Sequence, residues 1–314
     1  MKILISDKLG QAGLDLLDTI DNVSYDMKTG LSKDELIAIM PEYDGLIIRS
    51  GTRPDADIIA AGSKLKVIGR AGIGVDNIDL AAATAQGVTV VNTPRANSIA
   101  TAEQTLALML AMNRFTAQSH ASVGAGNWNR GDYVGTELYG KTLGVIGFGY
   151  IGRLVTARAQ AFGMKVVAAD PYVTKEAAAE LDVELLDLDG LLAAADIITL
   201  HAIVTDETKE MINAETIGKM KDGVMLVNVA RGKLVNEAEL AEALQSGKVS
   251  AAGLDVFYVE PPADCPLIGL PNVTHTPHLG ASSKEAQTAV GVQIVEQVLK
   301  VLNGEEPDYW VNRT

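Results

Sequence analysis

The chain has 314 residues, 47% of them hydrophobic and 21% charged, enough for about two domains at roughly 150 residues each and too apolar for a disordered chain. Its 26 basic residues face 40 acidic ones, a formal charge of −14 without any Lys/Arg cluster, so nucleic acid and anionic lipid are excluded as expected partners. The single Cys265 rules out a disulfide framework or cysteine metal cluster, and His120, His201, His275 and His278 lack metal-ligand spacing, so no metal is expected.

Met1–Asp7 turns acidic too soon for a signal peptide and reads as a strand. No apolar run approaches the roughly 18 residues of a membrane span, and a cytoplasmic protein is expected. Strands are predicted in chain order at Lys2–Ser6, Gly45–Ile48, Val67–Ile68, Thr89–Val91, Thr142–Ile146, Lys165–Ala169, Ile197–Leu200, Val224–Val229, Ala251–Leu254 and Val273–His275. Helices are predicted between them at Lys33–Met40, Asp55–Ala61, Ile99–Asn113, Ile151–Phe162, Asp189–Ala195 and Glu237–Ser246, with a late one at Ser283–Leu302. This alternation predicts an α/β fold of parallel sheets joined by right-handed crossovers. A Gly-rich turn, Gly69–Gly74, follows the strand at Val67, and a second follows the strand at Thr142. The helix Ile99–Asn113 is apolar on nearly every side, which calls for burial in a core or a dimer. A Gly/Asn/Trp loop, Gly124–Gly131, lies beyond it.

The sharpest local signal is Gly147-Phe-Gly-Tyr-Ile-Gly152, between a predicted strand and a predicted helix. In that setting Gly147 permits the tight turn, Gly149 lets backbone approach a pyrophosphate, and Gly152 allows helix and strand to pack closely. The next strand ends in Asp170, 18 residues after the last glycine. An acid near that spacing accepts hydrogen bonds from the adenosine ribose and repels a 2′-phosphate, so NAD is the expected cofactor.

Three later segments each follow a predicted strand, at the sheet edge where α/β proteins gather ligands. Val227–Gly232 carries Arg231, whose paired donors suit a carboxylate and its neighbouring carbonyl. Asp255–Pro262 carries Glu260, and His275–Ser283 carries His278. Oxidation of an alcohol needs a base for the hydroxyl proton, a role His fills near neutral pH when a carboxylate orients it. Singly these residues say little; as an ordered Arg–Glu–His set after a nucleotide motif they point to hydride transfer.

With these residues in view, the chain resembles the NAD-dependent D-2-hydroxyacid dehydrogenase family over essentially its whole length. The resemblance is carried by Arg49-Ser50, Val67–Asp79, Asn92-Thr-Pro94, Gly147–Gly152, Asn228–Gly232, Leu254–Phe257 and Thr276–Gln287. The run Gly69–Asp79 and the last segment are most like its phosphoglycerate branch. The resemblance implies two Rossmann-like or flavodoxin-like domains: a discontinuous substrate-binding domain, 1–98 plus 286–314, with the NAD-binding domain 99–285 inserted. It implies His278 as acid/base, Glu260 as its partner and Arg231 as the substrate clamp. NAD contacts would come from Tyr150, Ile151, Asp170, Val229, Ala230, Asp255 and Gly280. The N–H groups of Ile73 and Gly74 would hold the substrate carboxylate near Asn97, and Arg49, with Arg53 or Arg70, would meet a distal anionic group. A cluster of arginines would draw a small anionic 2-hydroxy or 2-keto acid toward an otherwise acidic protein.

The implied reaction is oxidation of D-3-phosphoglycerate to 3-phosphohydroxypyruvate, the entry to serine synthesis. Other 2-hydroxy acids are the alternative, among them glycerate, glyoxylate, lactate and sulfolactate as acid or keto-acid partners. A non-enzymatic NAD-sensing, corepressor-like protein is a distant third, against which the intact Arg231/Glu260/His278 set weighs. Two departures from the family pattern are His201-Ala-Ile-Val, where family members often read His-Thr-Pro, and Tyr258-Val259, where a more acidic pair is usual. Longer relatives carry C-terminal serine-binding domains; this sequence ends at Thr314, so serine feedback through such a domain is not expected. A homodimer through region 99–140 is expected, with the Trp128 loop reaching the partner.

Overall fold

The computed structural model describes residues 1–313. The chain forms two compact units, one of Met1–Ser98 with the chain from Ala281 onward and one of Ile99–Gly280. The second crossing therefore comes at Gly280, earlier than the 285 expected.

The first unit holds β1 (Lys2–Ile5), β2 (Ser24–Met27), β3 (Gly45–Ile48), β4 (Val67–Arg70) and β5 (Thr89–Val91), all parallel, in the order β2-β1-β3-β4-β5. The direction of winding reverses between β1 and β3, the kind of switch point at which open α/β sheets bind ligands beyond the strands' carboxyl ends. Apolar side chains cover both faces: Ile3, Ile5, Ile47 and Val67 lie on one, Leu4, Leu46, Ile48 and Ile68 on the other. The first face is closed by the helix Lys284–Leu302, through Val290, Ile294, Val295 and Val298. Its N-cap Ser283 accepts a hydrogen bond from the Ala286 N–H at 3.1 Å. Gly69 belongs to β4 and not to the turn expected there. A β-carbon on it would lie 2.5 Å from Val298 Cγ2, so its lack of a side chain is what lets that helix settle on the sheet.

The second unit holds β6 (Thr142–Ile146), β7 (Lys165–Ala169), β8 (Glu184–Leu185), β9 (Ile197–Leu200), β10 (Val224–Asn228), β11 (Val249–Leu254) and β12 (Val273–His275). All pair in parallel, in the order β12-β11-β10-β9-β6-β7-β8. The chain winds outward from β6 to β8, then returns through β9, which places the switch point beside β6. Leu143, Val145, Ile197 and Val227 fill one face with Leu106, Leu108, Met109 and Met112 of the helix Ser98–Asn113. That apolar helix is thus a core element of its own unit, lying 3.1 Å from the position a Gly253 β-carbon would take.

Two strands escaped the sequence reading. β2 and β8 are sheet edges with no fully buried residue, and their sequences (Ser-Tyr-Asp-Met and Glu-Leu) lack the continuous apolar run of a central parallel strand. Among the described residues no helix is long and apolar enough to cross a membrane.

Candidate active site

The Gly147–Gly152 turn sits between β6 and the helix Tyr150–Ala161. Its three glycines do three different things. Gly147 has φ +91°, and a side chain there would strike the backbone at His201 and Ala202. Around Gly149 nothing lies within 4 Å of a would-be β-carbon, which leaves the space a pyrophosphate needs above the helix N-terminus. Gly152 packs against the Gly147 carbonyl and Val145, too close for any larger residue. Tyr150 and Ile151 open the helix, Tyr150 half exposed. Asp170 follows β7 and accepts from the N–H groups of Phe148 and Tyr172, both at 2.8 Å. Each carboxylate oxygen keeps a lone pair for a ribose hydroxyl. An open glycine, a helix N-terminus and an oriented acid together fit a dinucleotide.

Arg231, Glu260 and His278 lie on loops leaving the carboxyl ends of β10, β11 and β12, three neighbouring strands. His278 Nδ1 and Glu260 Oε2 are 2.7 Å apart, and the side chains are 40% and 37% exposed, open enough to meet a ligand. Glu260 Oε1 accepts the Phe257 N–H at 3.1 Å. Burial pushes the Glu260 carboxyl up, but the His278 hydrogen bond and charge, the Phe257 N–H and the Arg231 charge outweigh it and hold the acid below its ordinary range. Glu260 is therefore charged at neutral pH and accepts from Nδ1–H, so that whenever the ring gives up a proton the lone pair lies on Nε2.

Arg231 stands in extended backbone just before a short 3-10 turn, Gly232–Leu234. Buried Asn228 shapes the turn before it, accepting from the Ala230 N–H at 3.0 Å and donating to the Arg231 carbonyl at 2.9 Å. A β-carbon at Gly232 would overlap the backbone of Phe257 and Tyr258, so that glycine brings the Arg231 and Glu260 loops side by side.

His278 adopts φ +56°, a left-handed conformation that costs a non-glycine residue about 1 kcal/mol. Asp255 holds it there. Fully buried, it accepts from Thr276 Oγ1 at 2.5 Å and from the Leu279 and Gly280 N–H groups at 2.7 Å, while its carbonyl accepts the His278 N–H at 2.8 Å. Both oxygens of Asp255, one of the expected NAD contacts, are engaged by the loop that carries His278. Val229, Ala230 and Gly280 lie in the same neighbourhood, with Val229 Cγ1 3.1 Å from a would-be Gly280 β-carbon.

In the first unit, Arg49 follows β3 at the switch point, and Arg70 ends the neighbouring β4, where it pairs in register with Ile48. Two residues to which the sequence reading gave no role, Asn77 among them although it lies in the Val67–Asp79 run, hold the Arg49 loop. Asp7, two residues after β1, accepts from the Arg49 and Thr52 N–H groups at 2.7 and 3.0 Å. Asn77 donates to the Arg49 and Thr52 carbonyls at 2.7 and 2.6 Å. An acid one residue past the first predicted strand was the available signal for Asp7. Ile73 and Gly74 form a loop pinned by Asn92, which donates to the Ile73 carbonyl at 2.7 Å. Asn97 is buried and Arg53 exposed.

Residues 106–280 match the family described as D-isomer specific 2-hydroxyacid dehydrogenase, NAD binding domain. The chain is 50% identical over 313 residues to the D-3-phosphoglycerate dehydrogenase of Methanocaldococcus jannaschii, covering 99% of this chain and 59% of that protein. It thus spans little more than half the length of that relative. Among solved structures, a protein from Thermus thermophilus superposes with a TM-score of 0.92 at 38% identity, over 99% of this chain and 100% of its own. A glyoxylate reductase from Paecilomyes thermophila superposes with a TM-score of 0.90 at 31% identity, covering 99% and 97%. With the fingerprint glycines, Asp170 and the Arg–Glu–His set in place, the chain belongs to the D-isomer specific 2-hydroxyacid dehydrogenase family and carries its NAD-binding domain.

Proposed function

We propose that the protein oxidises D-3-phosphoglycerate with NAD to 3-phosphohydroxypyruvate. The observation that carries the chemistry is the charged Glu260 bonded at 2.7 Å to His278 Nδ1, beside Arg231. The half-length similarity to a D-3-phosphoglycerate dehydrogenase supports the substrate. Bound NAD supplies the hydride acceptor. His278 Nε2 takes the hydroxyl proton, and Glu260 stabilises the imidazolium that results. Arg231 pairs with the substrate carboxylate and the oxygen that becomes the carbonyl. Gly147, Gly149 and Gly152 admit the cofactor, Tyr150, Ile151, Val229, Ala230 and Gly280 surround it, Asp255 acts through the loop it holds rather than by direct contact, and Asp170 receives its ribose. In the first unit Arg49, Arg70, Ile73, Gly74 and Asn97 bind the substrate's anionic ends. A cytoplasmic setting, where the lone Cys265 stays reduced, suits this role.

We extend the reading to a homodimer through region 99–140. The unit exposes Ile99, Val123, Trp128, Val134 and Tyr139 there, large apolar side chains whose burial favours association. Sedimentation at micromolar concentration is expected to give a dimer; a monomer removes this claim.

The functional test is NADH formation with D-3-phosphoglycerate beside D-glycerate, D-lactate, glycolate and sulfolactate. Preference for the phosphorylated acid is expected, with His278→Ala abolishing turnover while NAD still binds. Preference for an unphosphorylated acid overturns the substrate alone. Silence across the panel with NAD bound overturns the enzymatic reading.

A further inference from the structure

The loop that carries Glu260 is poorly held by apolar contact. Val259 to Asp264 are all exposed, and the nearest buried apolar anchors are Phe257 before them and Leu267 after them. Behind the loop lies a cavity of about 290 Å³, lined by Asn236, Glu237, Tyr258, Asp264 and Cys265. Packing therefore does not explain how the Glu260 carboxylate keeps its place, and a polar clasp is needed.

Glu237 supplies one. It is the first residue of the helix Glu237–Ser246, directly after its N-cap Asn236. Its Oε1 accepts the Tyr258 N–H at 2.7 Å, and its Oε2 accepts the Cys265 thiol at 3.4 Å. One carboxylate thus bridges the two ends of the Glu260 loop. The adjacent amides make the link specific: Phe257 N–H donates to Glu260, and the next N–H, Tyr258, donates to Glu237. Because peptide units are planar, fixing the Tyr258 amide restrains the carbonyl of Phe257 and hence the residue whose own amide orients Glu260. The same two-residue segment meets Gly232, next to Arg231.

We propose that Glu237 is a positioning residue for the reaction, setting the Glu260 carboxylate against His278 Nδ1 through the Tyr258 amide. This rests on the dehydrogenase reading above. The competing role is ordinary: an acid in a helix's first turn is stabilised by the helix dipole without any part in catalysis. Two variants separate them. E237D keeps the charge at the helix terminus but shortens the side chain by one methylene, so it loses its reach to the Tyr258 N–H. E237Q loses the charge but keeps an oxygen that accepts that N–H and gains an N–H that can face the Cys265 sulfur.

The experiment measures kcat, KM, NAD dissociation and amide hydrogen exchange for wild type, E237D and E237Q. For E237D, kcat is expected to fall about tenfold, as a displaced catalytic group requires, with NAD dissociation unchanged and the Phe257 and Tyr258 amides exchanging faster. E237Q is expected to restore most of the rate and slow exchange at both amides. The reverse order, E237D normal and E237Q impaired, assigns Glu237 to the helix dipole and overturns the proposal, as does unchanged exchange at Tyr258 in E237D. A wild type silent with every 2-hydroxy acid removes the dehydrogenase reading and this role with it. An active wild type with an indifferent E237D removes this role alone.

Discussion

Replacing Asp255 by Ala tests whether His278, the proposed acid/base, is held in place by a buried carboxylate. The change leaves three donors without their acceptor: Thr276 Oγ1, the Leu279 N–H and the Gly280 N–H. Gly280 is buried, so its N–H meets no water and its loss costs about 2 kcal/mol; exposed Leu279 and half-buried Thr276 rehydrate, at about 1 kcal/mol each. Removing a fully buried charge recovers part of this, because its desolvation no longer has to be offset. The net expectation is about 3 kcal/mol, or a fall of about 6–12 °C in the melting temperature of a unit this size. The left-handed backbone at His278 then loses its support, so kcat should fall further than occupancy of the folded state accounts for. Thermal and urea unfolding followed by circular dichroism, with NADH formation measured well below the melting temperature, checks both parts. Thr276→Val, which removes one donor, should cost about 1 kcal/mol. A D255A protein melting within 2 °C of wild type with its turnover intact would refute the reasoning.

The fingerprint glycines and His201 give further tests. Gly149→Ala places a methyl in open space at φ −74°, so stability should hold to within about 0.5 kcal/mol while NAD affinity drops; calorimetric titration reads it. Gly152→Ala drives a methyl onto the Gly147 carbonyl and Val145 and should cost about 1–3 kcal/mol in urea unfolding. Equal stability losses for the two would contradict the separate roles assigned to them. Burial pushes the His201 imidazole down to about 4, where its Nε2 meets Thr199 Oγ1 at 3.0 Å. The unfolded chain, titrating near 6.5, binds the proton first. The resulting stability is therefore complete above about pH 6.5 and is lost as pH falls toward 4. At pH 5 the loss should be about 1–2 kcal/mol, allowing for the partial exposure of the residue. His201→Asn should flatten this dependence between pH 7.5 and 5; an unaltered slope would assign the acid sensitivity elsewhere.

What the amino-acid sequence determined by itself was whatever physics writes locally. Central parallel strands are buried on both faces, so Thr142–Ile146 and Ile197–Leu200 must be mostly apolar and are legible as strands. Gly147, Gly149 and Gly152 answer to the steric limits of a single turn, and Asp170 to the length of one strand–helix–strand unit. Arg231, Glu260 and His278 stood out as candidates because each falls in the loop that follows a legible strand. Tertiary structure alone decided that these strands are neighbours, that Gly69 admits the helix Lys284–Leu302, and that β2 and β8 exist as half-exposed edges. It also decided what the supporting acids do. Asp7, Asp255 and Glu237 act on backbone N–H groups 21 to 45 residues away. Any residue but proline can present a backbone N–H, so such a partner leaves no mark in the sequence, and only the folded chain brings it within reach.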